Sequence, residues 1–156
     1  MISLDIPGFG TLTLEHCIAD FSGTLSQDGR LIDGVRERIG RLSEMLEIHV
    51  LTSDTHGRAR LALEGVRGSL HILQGERHEL QKQQYVARLG ASSVVALGNG
   101  NNDVSMLQAA RLGIAVCHAE GCSVAAVNAA AILVTSPLDA LDLLLQPKRL
   151  TATLRR

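Results

Sequence analysis

The chain has 156 residues, 46% of them hydrophobic and 20% charged, with a net charge of −1, which excludes a disordered segment and suits one domain, 1–156, with its own core. Only Phe9, Phe21 and Tyr85 are aromatic, which excludes a base-stacking platform, and the Lys148-Arg149 and Arg155-Arg156 pairs read as a solvated tail, so nucleic acid is not an expected partner. No apolar stretch is long enough for a bilayer, and MISLDIPGFG has no basic start or apolar core, so neither a membrane nor a signal peptide is expected and the location read is cytoplasmic.

Ile2–Ile6 and Thr11–Leu14 alternate apolar and polar residues around Pro7-Gly8-Phe9-Gly10, which predicts a hairpin. The apolar run Cys17-Ile18-Ala19 then ends at Asp20, and Ser22-Gly23-Thr24 predicts a turn after that strand. Gln27-Asp28-Gly29 is a second turn. Ile32, Val35, Ile39, Leu42 and Leu46 repeat at helical spacing, which predicts a helix over Asp33–Leu46 with Asp33 as N-cap. A strand over Ile48–Leu51 ends at Thr52-Ser53-Asp54, and a helix follows over Thr55–Glu64.

Ser69–Leu73 reads as a strand and Gln74-Gly75-Glu76 as a turn. A helix over Glu79–Leu89 closes at Gly90, a C-cap residue. Val94–Leu97 is a strand that runs into Gly98-Asn99-Gly100-Asn101-Asn102-Asp103. The order then is helix Val104–Ala110, strand Gly113–Cys117, helix Ser123–Ala130, strand Ile132–Val134 and helix Pro137–Leu145. The tail 147–156 is expected to be loose or to dock on a neighbouring subunit. Alternating strands and helices predict an α/β fold with a mainly parallel sheet covered on both faces. Neither the stretch from Leu25 to Asp33 nor that from Leu73 to Lys82 has room for a separate cap domain.

In such a sheet, groups at the carboxyl ends of neighbouring strands converge. Those ends carry Asp20, Thr52-Ser53, and Asn99 with Asn102 and Asp103, and Lys82 lies on a helix between the second and third. A carboxylate, a hydroxyl, an ammonium and a loop able to bind metal are the parts phosphoryl transfer needs, because that chemistry is mostly positioning and charge neutralisation.

This order resembles the haloacid dehalogenase-like superfamily of aspartyl-phosphate enzymes, from about Cys17 to Val134. The segment Asp20-Phe21-Ser22-Gly23-Thr24-Leu25-Ser26 looks like the DKTGTLT of P-type ATPases, Thr52-Ser53-Asp54 like their TGD, and Gly98–Asp103 with Leu107 like their GDGxNDxxxL. Gly113-Ile114-Ala115 matches the GIA that follows. With no transmembrane helix and no nucleotide-binding insertion, the chain resembles the small soluble P-type-ATPase-like phosphatases. The fold so implied is a Rossmannoid three-layer sandwich with an N-terminal β-hairpin.

The resemblance implies that Asp20 is the nucleophile, that Thr52 binds a phosphate oxygen with the backbone of Phe21, Gly23 and Ser53, and that Lys82 neutralises charge. It further implies that Asn102 lies beside the phosphate, and that Asp20, Ser22 (through its carbonyl), Asn99 and Asp103 hold Mg²⁺. Two departures stand out. Ser22 occupies the place where most phosphatases of the superfamily have a second aspartate, and a hydroxyl is a poor acid or base near neutrality. Asn99 replaces a metal-binding aspartate.

The remaining titratable residues have plainer readings. Asp54 caps the next helix; Asp28, Asp33, Asp139 and Asp142 are turn, cap or surface residues. His49 is a satisfied or edge histidine, and His16, His56, His71, His78 and His118 show no ligand spacing for zinc. Cys17, Cys117 and Cys122 read as reduced thiols. Gly98-x-Gly100 lacks the third glycine of a dinucleotide fingerprint. The leading expectation is a slow Mg²⁺-dependent phosphatase of a small phosphate ester, able to form homo-oligomers that shield an open site. A capless sugar-acid phosphate phosphatase and a non-enzymatic regulatory module that accepts phosphate on Asp20 are the alternatives.

Overall fold

The computed structural model describes residues 1–54 and 57–156. In chain order its elements are β1 (Ile2–Ile6), β2 (Gly10–Leu14), β3 (His16–Asp20), β4 (Ser26–Gln27), β5 (Arg30–Leu31), α1 (Val35–Leu42), β6 (Glu47–Thr52), α2 (Arg58–Ala62), β7 (Ser69–Ile72), α3 (His78–Leu89), β8 (Val94–Gly98), α4 (Val104–Ala109), β9 (Leu112–Val116), α5 (Val124–Ala129), β10 (Ile132–Val134), α6 (Pro137–Leu145) and α7 (Pro147–Leu154). Six strands form the central sheet in the order β10-β9-β8-β3-β6-β7, and every neighbouring pair is parallel. The strand carrying Asp20 therefore sits inside the sheet, flanked by β8 and β6.

Residues of a strand alternate between faces, and that alternation sorts the core. Cys17 and Ala19 of β3 join Val50, Val95, Leu97 and Ile114 beneath the β1–β2 hairpin, α1, α6 and α7. Ile18 joins Leu51, Ala96, Tyr85, Val86, Met106 and Leu107 on the opposite face, beneath α3 and α4. His16 and Asp20 share the parity of Ile18 and look toward α3. Strands with both faces covered are apolar almost throughout, as β8 and β9 are: every residue of each is buried. The α/β fold expected from the alternation, and the three-layer sandwich that the resemblance implies, are what form, with an antiparallel N-terminal hairpin and no cap domain among the described residues.

Several local expectations change. The helix expected over Asp33–Leu46 is α1, shorter at both ends, and its N-cap is Gly34 at φ 87°, not Asp33. The chain leaves α1 through turns that bring Leu46 back beneath the sheet, so Leu46 is buried without being helical. The residues from Ser26 to Leu31 are not only a turn: β4 and β5 pair as a two-residue hairpin with Asp28 at its tip at φ 52°. The described part of the second expected helix is α2; its expected start at Thr55 lies outside the described residues, as does His56. Asp142 is half-buried and takes two bonds from the Arg38 guanidinium, at 2.8 and 3.1 Å, which ties α6 to α1 in the forked geometry that makes such pairs strong.

The tail is the largest change. Residues 147–154 form α7, opened by Pro147 at its first turn. Leu150 and Leu154 are buried in the core shared with Ile2, Ile6, Leu12 and Leu14, and the Arg156 amide donates to the Pro7 carbonyl at 2.9 Å. The tail thus docks on its own chain, because two leucines at i, i+4 give it an apolar stripe. Leu150→Ala should lower the unfolding free energy by about 2–5 kcal/mol, read by urea titration. The exposed Lys148→Ala should stay within about 0.5 kcal/mol; no loss at Leu150 would mean that the tail is loose.

Candidate active site

Three buried charges meet at the carboxyl end of β3. The Lys82 ammonium donates to Asp20 Oδ1 and to Asp103 Oδ1, both at 2.6 Å, and the side chains of Lys82, Asp20 and Asp103 are 1%, 8% and 0% exposed. Each arrives for a local reason. Asp20 is the last residue of β3 and faces α3 by parity. Lys82 lies on the second turn of α3 and is buried with Tyr85 and Val86, so its stem packs on the sheet. Asp103 ends the 3₁₀ turn Asn101–Asp103 that follows β8. Its Oδ2 accepts the amides of Asn99 and Gly100 at 2.9 and 3.0 Å, which closes the loop and leaves Oδ1 for the lysine. Gly98 is required there, since a Cβ on it would lie 2.6 Å from Asp103 Cβ.

Burial first, then the Asp103 carboxylate, push the Asp20 carboxyl up from 3.8 to about 7, against the pull of Lys82 and Thr24. Burial alone would lower the Lys82 ammonium, but the two carboxylates outweigh it and raise its pKa. Once Asp20 gives up its proton, one ammonium faces two carboxylates and the cluster carries one excess negative charge away from water. A hard divalent cation with oxygen ligands suits such a cluster, so the donor set fits Mg²⁺.

The neighbouring polar groups are tied to this cluster. The Thr24 hydroxyl, fully buried, lies 3.4 Å from Asp20 Oδ2 and 3.1 Å from Asn99 Oδ1 and divides one proton between them. The Asn99 amide also donates to the Gly121 carbonyl at 3.1 Å. Asn99 is therefore a strut between the loop after β3 and the 118–121 turn, and an aspartate there would put an oxygen against that carbonyl. Gly23, at φ 76°, packs against Asn99, where a Cβ would lie 2.5 Å from Nδ2. Its amide donates to the Ser26 carbonyl at 3.1 Å, so Gly23 shapes the turn and its N–H is committed there rather than offered to phosphate.

Thr52 is buried at the end of β6, one residue beyond the partner of Asp20 in the β3–β6 register, and its hydroxyl accepts the Asp54 amide at 3.2 Å. Asp54 accepts the amides of Ala59 and Arg60 at 2.8 and 3.4 Å, the helix-capping part expected of it. Ser22 and Ser53 are exposed, and both line a cavity of about 270 Å³ with Phe21, Asp28, Arg58 and Glu120. Glu120 accepts the Asp28 amide at 3.1 Å across its rim. Asn102 is exposed on the 3₁₀ turn. Asp20, Lys82 and Asp103 are thus brought into contact; Thr52, Ser22 and Ser53 border them.

Two sets of residues escaped the sequence. Thr24 belongs to the turn motif, but its bond to Asp20 depends on how the turn folds. His16, Glu47 and His49 bring one ligand atom each within 4.8 Å of one another. His16 stands opposite Glu47 in the β3–β6 register, a proximity that spacing along the chain does not encode.

The profile of the haloacid dehalogenase-like hydrolase family matches residues 78–136, the stretch holding Lys82, Asn99 and Asp103. The uncharacterized protein MJ0073 of Methanocaldococcus jannaschii is 47% identical over 62 residues, 40% of this chain and 67% of that protein. Among solved structures, the cobalt-bound deoxy-D-mannose-octulosonate 8-phosphate phosphatase of Haemophilus influenzae superposes with a TM-score of 0.71 at 14% identity, over 90% of this chain and 92% of that one. The corresponding phosphatase of Moraxella catarrhalis, in complex with magnesium, phosphate and KDO, gives a TM-score of 0.65 at 19% identity over 90% and 92%. The chain belongs to the haloacid dehalogenase-like hydrolases. A zinc-transporting PIB-type ATPase is 24% identical with a TM-score of 0.61, over 78% of this chain but 20% of the ATPase, so the P-type likeness is a distant one.

The raised Asp20 carboxyl makes stability depend on pH. In chelator-treated protein the folded form keeps this proton up to about 7, whereas the unfolded form loses it near 3.8. The folded state binds more protons across that window, so the Asp20 contribution to stability falls as pH rises through it and levels off above. Urea unfolding at about pH 5 and about pH 8 should show wild type losing more stability at the higher pH than Asp20→Asn does; equal losses would refute the burial account.

Proposed function

We propose that this chain is a Mg²⁺-dependent phosphohydrolase that transfers the phosphoryl group of a small phosphate ester to Asp20 and then hydrolyses the aspartyl-phosphate. The observation that carries this reading is the buried Lys82 between Asp20 and Asp103. A purely structural ion pair gains little from desolvating a second carboxylate on one ammonium. A nucleophile held against a cation, with a further negative charge beside it to hold a metal ion, suits the transfer of a phosphate dianion.

In this reading an Asp20 carboxylate oxygen attacks phosphorus, the bond from phosphorus to the ester oxygen breaks, and the leaving alkoxide takes a proton from water. Lys82 holds the nucleophile and offsets charge on the transferring group. The Thr52 hydroxyl, with the backbone of Phe21 and Ser53 and the side chain of Asn102, receives phosphate oxygens. Thr24 orients the second Asp20 oxygen. Asp20, Asp103 and the Ser22 carbonyl would hold Mg²⁺, with Asn99 beside them, and the ion when bound supplies charge neutralisation at the phosphate. Water then attacks the aspartyl-phosphate and regenerates Asp20.

The cavity lined by Phe21, Ser22 and Ser53, the residues that follow Asp20 and Thr52, has room for a small molecule, and the phosphatases that share the fold support a capless phosphatase of sugar-acid type as one form of this reading. The rim is made by the Asp28 tip of the β4–β5 hairpin, Arg58 and Glu120 rather than by a cap, so association with a second copy is the proposed way of closing the site. The three free thiols are consistent with the cytoplasmic reading. Ser22 at the rim favours a second reading, a long-lived aspartyl-phosphate that a partner protein reads. A serine at that position neither gives the leaving group a proton nor activates water near neutrality, help that is worth about 10²–10⁴-fold.

Hydrolysis of an aryl phosphate should be measurable, slow, dependent on Mg²⁺ and abolished in Asp20→Asn. Ser22→Asp, whose carboxylate has room in the cavity, should raise turnover by about 10-fold or more. Absence of Mg²⁺-dependent turnover in folded wild type, with phosphate trapped on Asp20, would select the regulatory reading; absence of both would defeat the proposal.

A further inference from the structure

Three potential ligands meet at the other end of β3 and β6 from Asp20, on the face that α3 covers. His16 Nδ1 lies 3.3 Å from His49 Nε2 and 3.4 Å from Glu47 Oε2, and the remaining side of this triangle, His49 Nε2 to Glu47 Oε2, is 4.0 Å. For a tetrahedral ion with ligands at about 2.0–2.1 Å, the ligand atoms stand about 3.3–3.4 Å apart. Two sides of the triangle have that length, and the third reaches it by rotation of the Glu47 carboxylate, which is 74% exposed.

The buried member is already oriented. His49 is 6% exposed, and its Nδ1 lies 3.0 Å from the Tyr85 hydroxyl, which in turn contacts His71 Nε2. When the Tyr85 hydroxyl donates to His71 Nε2 it accepts from His49 Nδ1–H, and His49 Nε2 is then free as a ligand, the arrangement metal-bound histidines commonly have. The exposed Glu47 leaves a way in for the ion and room for water in the fourth position. A hydrogen bond between two imidazoles would account for one side of the triangle; it does not account for the carboxylate meeting both rings.

We propose that His16, Glu47 and His49 form a second metal site, for a borderline divalent transition ion of the Zn²⁺ class, separate from the oxygen cluster at Asp20. Two imidazoles and one carboxylate suit Zn²⁺ and Co²⁺ rather than Mg²⁺. The site clamps the amino ends of β3 and β6 together. It also reaches α3 through Tyr85, three residues and so one turn from Lys82, which joins the ion to the helix that carries the cation of the Asp20 cluster. The proposal does not depend on the phosphatase reading.

Co²⁺ is the probe, because four-coordinate Co²⁺ absorbs strongly in the visible. The protein used is Asp103→Asn, which weakens the oxygen cluster and leaves the histidines untouched. It should bind one equivalent of Co²⁺ with four-coordinate bands that Zn²⁺ displaces. His16→Gln, at a half-buried position, and Glu47→Gln, at an exposed one, should each weaken binding by at least about tenfold, and Tyr85→Phe by about tenfold through loss of the partner of His49. Zn²⁺ should raise the Tm of the Asp103→Asn parent and not that of the His16→Gln form. In an otherwise wild-type background, Glu47→Gln should leave aryl phosphate hydrolysis unchanged. Failure of folded Asp103→Asn to bind either ion at about 100 μM, far above the dissociation constants of structural Zn²⁺ sites, overturns the proposal. So does binding that the Glu47→Gln and His16→Gln changes leave intact.

Discussion

One ammonium held between two carboxylates sets the terms for the rest of the molecule. Taking three charges out of water costs several kcal/mol each unless the geometry is tight and every remaining atom has a partner. The surroundings of Lys82 supply that. Asp103 Oδ2 takes two backbone amides, Asp20 Oδ2 takes Thr24, and no buried polar side-chain atom among the described residues lacks a partner. The apolar strands around the cluster are what keep it dry. β3, β8 and β9 bury almost every residue, so the carboxyl end of the sheet is a low-dielectric floor on which an excess charge stays strong.

The division of labour within the sheet follows from parity. Odd-numbered residues of β3 face the core beneath the hairpin and terminal helices, and even-numbered ones face α3. Because His16, Ile18 and Asp20 share one face, a single helix can serve both ends of the strand. Lys82 reaches Asp20 near the start of α3, and Tyr85 reaches His49 a turn later. The apolar Ile18 lies between the two polar groups and is fully buried.

Much of this is legible in the sequence, and the reason is physical. Strands buried on both faces show as apolar runs, so β3, β8 and β9 can be placed within a residue or two. The helix C-cap at Gly90 and the proline start of α6 fall where such residues act. Asp20, Lys82 and Asp103 stand out because strand ends converge in a parallel sheet. What the sequence hides depends on contacts rather than on pattern. Asp33 is a reasonable N-cap, but Gly34 in a left-handed conformation starts α1 one residue later. A two-residue strand such as β4 is too short to show alternation. The commitment of the Gly23 amide to Ser26, the use of both ends of the Asn99 amide, and the meeting of His16 with Glu47 and His49 are products of turns and register. The basic residues around α7 draw attention away from Leu150 and Leu154, which alone reveal it.

The docking of α7 on the first hairpin has a consequence for how the chain is made. Ile2, Ile6, Leu12 and Leu14 are synthesised long before their cover, Leu150 and Leu154. Until α7 emerges, the hairpin holds an oily surface open to solvent and to other nascent chains, and contacts between such distant segments are slow to form. Closure of this core therefore waits until the segment carrying Leu154 has cleared the ribosome. The interval before that is when this protein is most exposed to aggregation and most in need of a chaperone.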